Sequence, residues 1–224
     1  MDSKREAGGA DTENEKATSS GAKKVLQIKL PRPMTKGAVS LEEAISSRES
    51  FRQYSANPIN LKQLSQILWA AQGVTHDGMR SAPSAGALYP MEIYVVARTR
   101  GVEGLLAGIY RYDYQNHAIT LLKEGDFSQD LQRAASDQES VGMAASNIVI
   151  IGIFERTTAK YGERGVQYVF QESGHISENI FLQAAALGLG SVAMGAFRDN
   201  DVRRVLGVAR NERPIYIQPI GVKS

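Results

Sequence analysis

Arg48, Ser50 and Arg52 stand at every second position of SSRESFRQYS, residues 46–55. On an extended backbone, side chains two apart point to one face, so this triple would offer two guanidiniums and a hydroxyl to a single anionic target. On a helix the same residues do something plainer: Arg48 and Arg52 become like-charged neighbours and Glu49 pairs with Arg52. The residues alone leave both readings open. A second pair with chemical potential is Lys160 and Tyr161, in TTAKYGERG, residues 157–165. It follows an apolar run, a place where functional loops often sit. An amine beside a phenol can exchange protons with a reacting carbon. Lys160 and Arg164 fit the solvated start of a helix equally well.

Two glycine-bearing stretches bear on ligand binding. RSAPSAGALYP, residues 80–90, is a largely apolar loop stiffened by two prolines. Its Pro83, Ser84, Ala85 and Gly86 can hold backbone groups and a hydroxyl against a flat ligand, with Gly86 permitting close approach. The alternative is a tight connection in which Leu88 and Tyr89 plug the core. GLGSVAMGAF, residues 188–197, follows a helical pattern and lacks a downstream acidic partner, so it is not the dinucleotide fingerprint. Taken alone, it fits helix termination and close packing of backbone at a sheet.

The elements that must position these residues follow from periodicity and capping. VLQIKLPRP, from Val25, alternates as a strand until proline stops it. Ser40 and Glu43 form a capping box for a short helix through about Ser47. Asn60 caps a second helix, LKQLSQILWAAQG, with Leu61, Leu64, Ile67, Leu68 and Ala71 on one face and Gly73 suited to a left-handed terminus. Strands are expected over about 92–97, 108–114 and 118–122, the last two forming a hairpin through Gln115 and Asn116. Asp126 caps a helix to about Ala135, and 147–154 reads as a central strand. The longest element is a helix from about Gly165 to Leu187, ended by Gly188 and weakened at Gly174. A strand beginning at Ser191, a short helix capped by Asp199 or Asn200 and running to Leu206, and a closing strand in PIYIQPIGV complete the chain. Strands and helices mix without regular βαβ alternation, which predicts an α+β fold.

Composition bounds the rest. With 224 residues, 42% of them hydrophobic and 22% charged, the chain suits one large domain or two small ones. Residues 1–24 hold no large apolar side chain after Met1 and are expected to be disordered, leaving 25–224 as a single domain. No cysteine is present, which excludes disulfides, thiolate metal sites and cysteine nucleophiles. His76, His117 and His175 lack ligand spacing, so no metal site is expected. A net charge of +2 gives no ground for nucleic-acid binding. No stretch is long and apolar enough to span a membrane. The chain reads as cytoplasmic by default, with an exported form that has lost a leader left open.

Taken together, SLEEAISSRESFRQYS, LSQILWAAQG, RSAPSAGALYP, RTTAKYGERG, ESGHISENIFLQAAALGLGSVAMGAF and the closing PIGV resemble, in order, the nitroreductase family and its SagB-type dehydrogenase branch. The resemblance runs from about Leu30 to Val222. It implies a mostly antiparallel central sheet flanked by helices, and a homodimer with long helices at its interface and a flavin site built there. It also implies flavin mononucleotide (FMN) as cofactor, with NAD(P)H as a reductant. The family's R-x-S-x-R phosphate signature falls on Arg48, Ser50 and Arg52. Its P-S loop falls on Pro83, Ser84, Ala85 and Gly86, and the segment along the flavin ring on Ala193, Met194 and Gly195, with a backbone N–H facing the flavin N5. The branch's catalytic Lys-Tyr pair is matched by Lys160 and Tyr161. Ala87 and Tyr89 depart from the asparagine and glutamine usual in nitroreductases. The implied activity is hydride transfer between flavin and a small organic substrate. Alternatives are azoline oxidation in peptide maturation, or flavin binding with little turnover.

Overall fold

The computed structural model describes residues 26–224. The tail expected to be disordered, 1–24, lies outside them, as does Val25.

At the centre of the fold is β5, Ser146–Gly152, whose every residue is buried. It pairs on one side with β2, Met91–Ala97, and on the other with β7, Arg213–Val222, antiparallel in both cases. Beyond β2 come β3, Gly108–Asp113, then β4, Ala118–Glu124, and β1, Gln27–Lys29. Beyond β7 lies β6, Leu189–Ser191, at the edge. The order is β1-β4-β3-β2-β5-β7-β6, and every ladder is antiparallel. This is the expected α+β class.

Helices cover both faces, which is why β5 reads as a continuous apolar run. On one face, α2 (Leu61–Gln72) and α6 (Arg164–Ala186) set Leu64, Ile67, Leu68, Ile176 and Ile180 against Ile93, Val95, Ile148 and Ile150. On the other, α3 (Ser128–Ala134), α4 (Glu139–Met143) and α7 (Asp199–Leu206) set Leu131, Val141, Val202 and Leu206 against Val96, Val149, Ile151 and Ile217. Two short helices complete the set: α1, Leu41–Ser47, and α5, Glu155–Tyr161. Among the described residues no helix is long and apolar enough to cross a membrane.

Several local expectations need correction. Gly73 ends α2 in extended geometry, φ −68° and ψ 154°, not in the left-handed region. Glycine is needed there for space, since a Cβ would come within 2.2 Å of Trp69 Cδ1. Asp126 lies one residue before the cap position of α3; its carboxylate accepts from the N–H groups of Ser128 and Thr99 instead. Asp199 is the first residue of α7 and not its cap. β6 starts two residues earlier than expected, at Leu189. α4 was not anticipated, and α5 occupies the stretch read as a loop or a helix start.

Gly188, at φ 69°, ends the long helix in the manner expected. Gly174 sits exposed within α6, and a Cβ there would meet nothing within 4 Å. Gly174→Ala should therefore stabilise the protein by about 0.5–1 kcal/mol through the helix alone. Urea unfolding of the two proteins checks this, with a shift of the midpoint to higher denaturant as the expected result.

Candidate active site

The arginine triple sits on extended backbone. A capping box starts α1: the Glu43 N–H donates to Ser40 Oγ at 3.1 Å, and the Ser40 N–H to Glu43 Oε2 at 2.7 Å. These bonds hold the Glu43 carboxyl below its ordinary value. The helix stops at Ser47, and Arg48 turns to φ −63°, ψ 126°. What keeps the chain extended is its docking on the sheet edge. The Phe51 N–H donates to the Ser191 carbonyl at 2.8 Å, and the Ser55 N–H to Val222 at 3.0 Å. The rings of Phe51 and Tyr54 occupy the space above Gly190 and Gly221, where a Cβ would lie 2.5 and 2.7 Å from them. Glu49 pairs with Lys223 at 2.8 Å and not with Arg52, so the helical reading of the triple fails. The Arg48 guanidinium lies 5.3 Å from the Phe181 ring centre, and Arg52 Nη1 is 3.4 Å from the Ser50 carbonyl. Among the described residues neither arginine has an acidic partner.

The same edge continues through Ala193, Met194 and Gly195. Met194 exchanges both backbone bonds with Ile217, at 2.9 and 3.0 Å, so its N–H is committed to β7. Alternation along the strand turns the N–H groups of Ala193 and Gly195 the other way, the way the Ser191 carbonyl faces. Among the described residues neither N–H has a partner. The segment that carries both arginines and two outward N–H groups thus share one edge.

A second cluster gathers at the other candidate loop. Ala85–Ala87 form a single 3₁₀ turn, with Gly86 at φ 62°, Ala87 at 55° and Tyr89 at 47°. Ser84 Oγ closes the turn by accepting from the Tyr89 N–H at 2.8 Å. Leu88 and Tyr89 are only half-buried, so neither plugs the core; the Tyr89 ring lies 4.1 Å from the Arg80 guanidinium, whose other face is 3.5 Å from the Tyr114 ring centre. Lys160 and Tyr161 come to this loop from α5. A Cβ on Gly86 would lie 2.6 Å from Tyr161 Oη and 3.0 Å from Lys160 Nζ. Their approach is set by the packing of α5 against α6, close enough that a Cβ on Gly165 would reach within 2.9 Å of Thr158 Cα. The Tyr161 ring meets Tyr168 of α6 edge-on, 5.2 Å between centres.

The structure therefore brings the predicted residues together in two groups, not one. Arg48, Ser50 and Arg52 join Ala193, Met194 and Gly195 at the β6 edge. Pro83, Ser84, Ala85 and Gly86 join Lys160 and Tyr161 near the start of β2. Two strands, β5 and β7, separate β2 from β6, which puts about 14 Å of sheet between the groups. A cleft of about 720 Å³ opens beside the second group, between Tyr89, Arg80, Glu92, Arg111 and Arg156.

Sequence reasoning missed Arg80 and Glu172 in this second group. Glu172, on α6, is 3% exposed. Burial pushes its carboxyl up from 4.5 to about 7, against the influence of the Ser84 hydroxyl, the Arg80 charge and the Gln72 amide, which favour ionisation. Its signal in the sequence was an acid on the buried stripe of Val169, Ile176 and Ile180.

Comparison with known proteins agrees with this architecture. The nitroreductase family model matches residues 45–222. A "putative nitroreductase" of Methanocaldococcus jannaschii is 41% identical over 186 residues, covering 83% of this chain and 92% of that protein. The microcin B17-processing protein McbC of Escherichia coli is 27% identical over 172 residues, 74% of this chain and 63% of McbC. The crystal structure of a "putative nitroreductase" of Ralstonia eutropha matches with a TM-score of 0.78 at 30% identity, covering 88% of this chain and 90% of that one.

The raised Glu172 carboxyl has a measurable consequence. Unfolded, it releases its proton from about pH 4.5; folded, it holds the proton until about pH 7. Over that window the folded state binds more protons, so stability falls as pH rises, by on the order of 3 kcal/mol in total. Urea unfolding at pH 5 and pH 8 should show this loss in the wild type and a much smaller one in Glu172→Gln.

Proposed function

Because the chain belongs to the nitroreductase family, we propose that it is an FMN-dependent oxidoreductase moving hydride between the flavin and a small organic substrate, with NAD(P)H as reductant. One observation carries the reading: the segment bearing Arg48 and Arg52, which have no acidic partner among the described residues, docks on the sheet edge that continues to the outward N–H groups of Ala193 and Gly195. Two guanidiniums suit a phosphate dianion, which they engage as forks. A row of N–H donors suits the polar rim of a flat heteroaromatic ring. Bound FMN supplies the hydride chemistry.

The chain's own residues do the rest. Arg48 and Arg52 hold the phosphate, with the Ser50 hydroxyl as a further donor. Ala193, Met194 and Gly195 run along the ring, and the N–H facing N5 comes from Ala193 or Gly195, since that of Met194 is taken by Ile217. Pro83, Ser84, Ala85 and Gly86 bound the ring region from the second group. Lys160 Nζ and Tyr161 Oη, both at Gly86, hold or deliver a proton to the reacting substrate.

Within one protomer the two groups lie on strands separated by β5 and β7. A complete site on this reading takes the arginine edge from one protomer and the Ser84 loop from its partner, in a two-fold homodimer. Leu41 and Ile45, 61% and 57% exposed and one helical turn apart on α1, supply apolar surface for that contact. Near its start, α6 also exposes Val166 and Phe170. The location we favour is the cytoplasm, where NAD(P)H is available.

A second reading is oxidation of an azoline ring in a modified peptide. The meeting of Lys160 and Tyr161 at Gly86, together with the likeness to a microcin-processing protein, favours it. A third, flavin binding with little turnover, is favoured if neither NADH nor NADPH bleaches the yellow protein anaerobically.

Replacing both Arg48 and Arg52 with alanine should give a folded, colourless protein; full flavin occupancy would remove the phosphate assignment. Mixing that variant with Lys160→Ala/Tyr161→Phe after unfolding and refolding them together tests the shared site. Half the dimers become mixed, and each regains one of two sites, so activity should return to about a quarter of wild type. No recovery would place both groups of one site in the same protomer.

A further inference from the structure

Glu172 has no part in the chemistry described above, yet it is buried directly beneath the loop that meets Lys160 and Tyr161. An apolar side chain would fill this point of the α6 stripe without the cost of burying a carboxyl. Among the described residues Glu172 Oε1 has no hydrogen-bond partner, and neither has the buried Nε2 of Gln72 on α2. An acceptor and a donor are thus unmatched side by side, and the Ser84 hydroxyl lies against the same carboxyl. The Ser84 oxygen is already engaged as acceptor for the Tyr89 N–H, which leaves its proton to be donated.

The loop needs such an anchor. Ala87 and Tyr89 both hold left-handed backbone, which costs about 1 kcal/mol or more at each non-glycine residue. Closing the turn with one hydrogen bond offsets about as much as one of them. We propose that Glu172 is a positioning residue: its carboxylate accepts from the Ser84 hydroxyl and the Gln72 amide, and so fixes the Ser84–Tyr89 turn where Gly86 meets Lys160 and Tyr161. This rests on the proposed role of Lys160 and Tyr161 for its kinetic consequence, but not for its structural one.

The charged and titratable groups around the carboxyl are few. Arg80 faces it from the loop and favours its ionised form. Lys160 and Tyr161 of α5 lie across Gly86, Tyr89 and Tyr114 hold Arg80, and α2 contributes only the neutral Gln72. On α6 itself the neighbouring turns carry Tyr168 and His175. Closure of the loop buries the carboxyl and raises its affinity for a proton, so deprotonation opposes closure and the loop loosens as pH rises, in step with overall stability.

The test is amide hydrogen exchange at Tyr89 in the full chain, with and without added FMN, for wild type, Glu172→Ala, Glu172→Gln, Ser84→Ala and the Glu172→Ala/Ser84→Ala double variant. Protection of Tyr89, corrected for intrinsic exchange, should drop about tenfold in either alanine variant and no further in the double variant. In wild type it should fall from pH 5.5 to pH 8. In Glu172→Gln, whose amide oxygen still accepts, protection should persist but lose its pH dependence. In FMN-loaded protein, Glu172→Ala should lower kcat about tenfold at unchanged flavin content, and should cost little in a Lys160→Ala background. Unchanged Tyr89 protection in Glu172→Ala, or alanine effects that multiply in the double variant, would overturn the proposal. Should Glu172→Ala not fold, Glu172→Gln decides: protection that keeps the wild-type pH dependence counts against Glu172. A protein that takes up no FMN would instead remove the cofactor reading, with the exchange result still deciding the role of Glu172.

Discussion

The space above Gly190 and Gly221 is the constraint on which the candidate site depends. With no side chains there, the rings of Phe51 and Tyr54 lie directly on the backbone of β6 and β7, and any Cβ would strike them. That contact brings residues 51–55 alongside the sheet edge, where the Phe51 N–H takes the Ser191 carbonyl and the Ser55 N–H takes that of Val222. An exposed sheet edge normally invites pairing with another chain. Here the first part of the edge is covered from within, and only the stretch at Ala193 and Gly195 stays open. The covering segment carries Arg48 and Arg52, so the open donors and the free cations arise from one act of docking.

The second group is built on a different principle. Its loop stores backbone strain and is held from several directions: by Pro83 and Pro90 in sequence, by Ser84 across the turn, and by the Arg80 stack with Tyr89 and Tyr114. Helix α5 is fixed through Gly165, whose missing side chain lets the backbone of Thr157 and Thr158 pack against α6. Lys160 and Tyr161 are therefore carried on a rigid corner while the partner surface at Gly86 is a strained turn. Strain of this kind persists only where the surroundings over-determine it.

What the sequence made legible follows from the range of the forces involved. The capping box at Ser40, the cap at Asn60 and the termination at Gly188 are local and fall where capping placed them, and the buried run of β5 lies within two residues of its expected bounds. The conformation of Arg48–Arg52 is not local: nothing between Ser46 and Ser55 chooses extended over helical, and contact with β6 decides it. Gly73 misled because glycine serves two ends, and crowding by Trp69 was the operative one. α4, with Gly142 inside it and only 5 residues long, has no periodic signal to detect. Lys160 and Tyr161 stood out as an amine beside a phenol and again through the family resemblance, but only the packing of α5 on α6 places them at Gly86. Glu172 looked like one more helical glutamate, and its burial depends on the loop folding over it.

The division between the two groups also bears on what the protein selects. On the proposed reading, the arginine edge matches the family signature at each of its positions, and it handles the part of the cofactor common to all substrates. Two departures from the family pattern, Ala87 and Tyr89, fall in the loop group. Tyr89 is not a passive replacement: at φ 47° its ring is turned onto Arg80 and forms a wall of the cleft that also holds Arg111 and Arg156. Both of those guanidiniums are tied to Glu92, at 2.9 and 2.7 Å, which neutralises part of their charge and fixes their planes. A loop that keeps its glycine contact with Lys160 and Tyr161 while exchanging amide side chains for a methyl and a phenol alters the shape and polarity next to the reacting groups. On the proposed reading, substitutions in the loop group bear first on substrate preference and those in the arginine edge on cofactor retention.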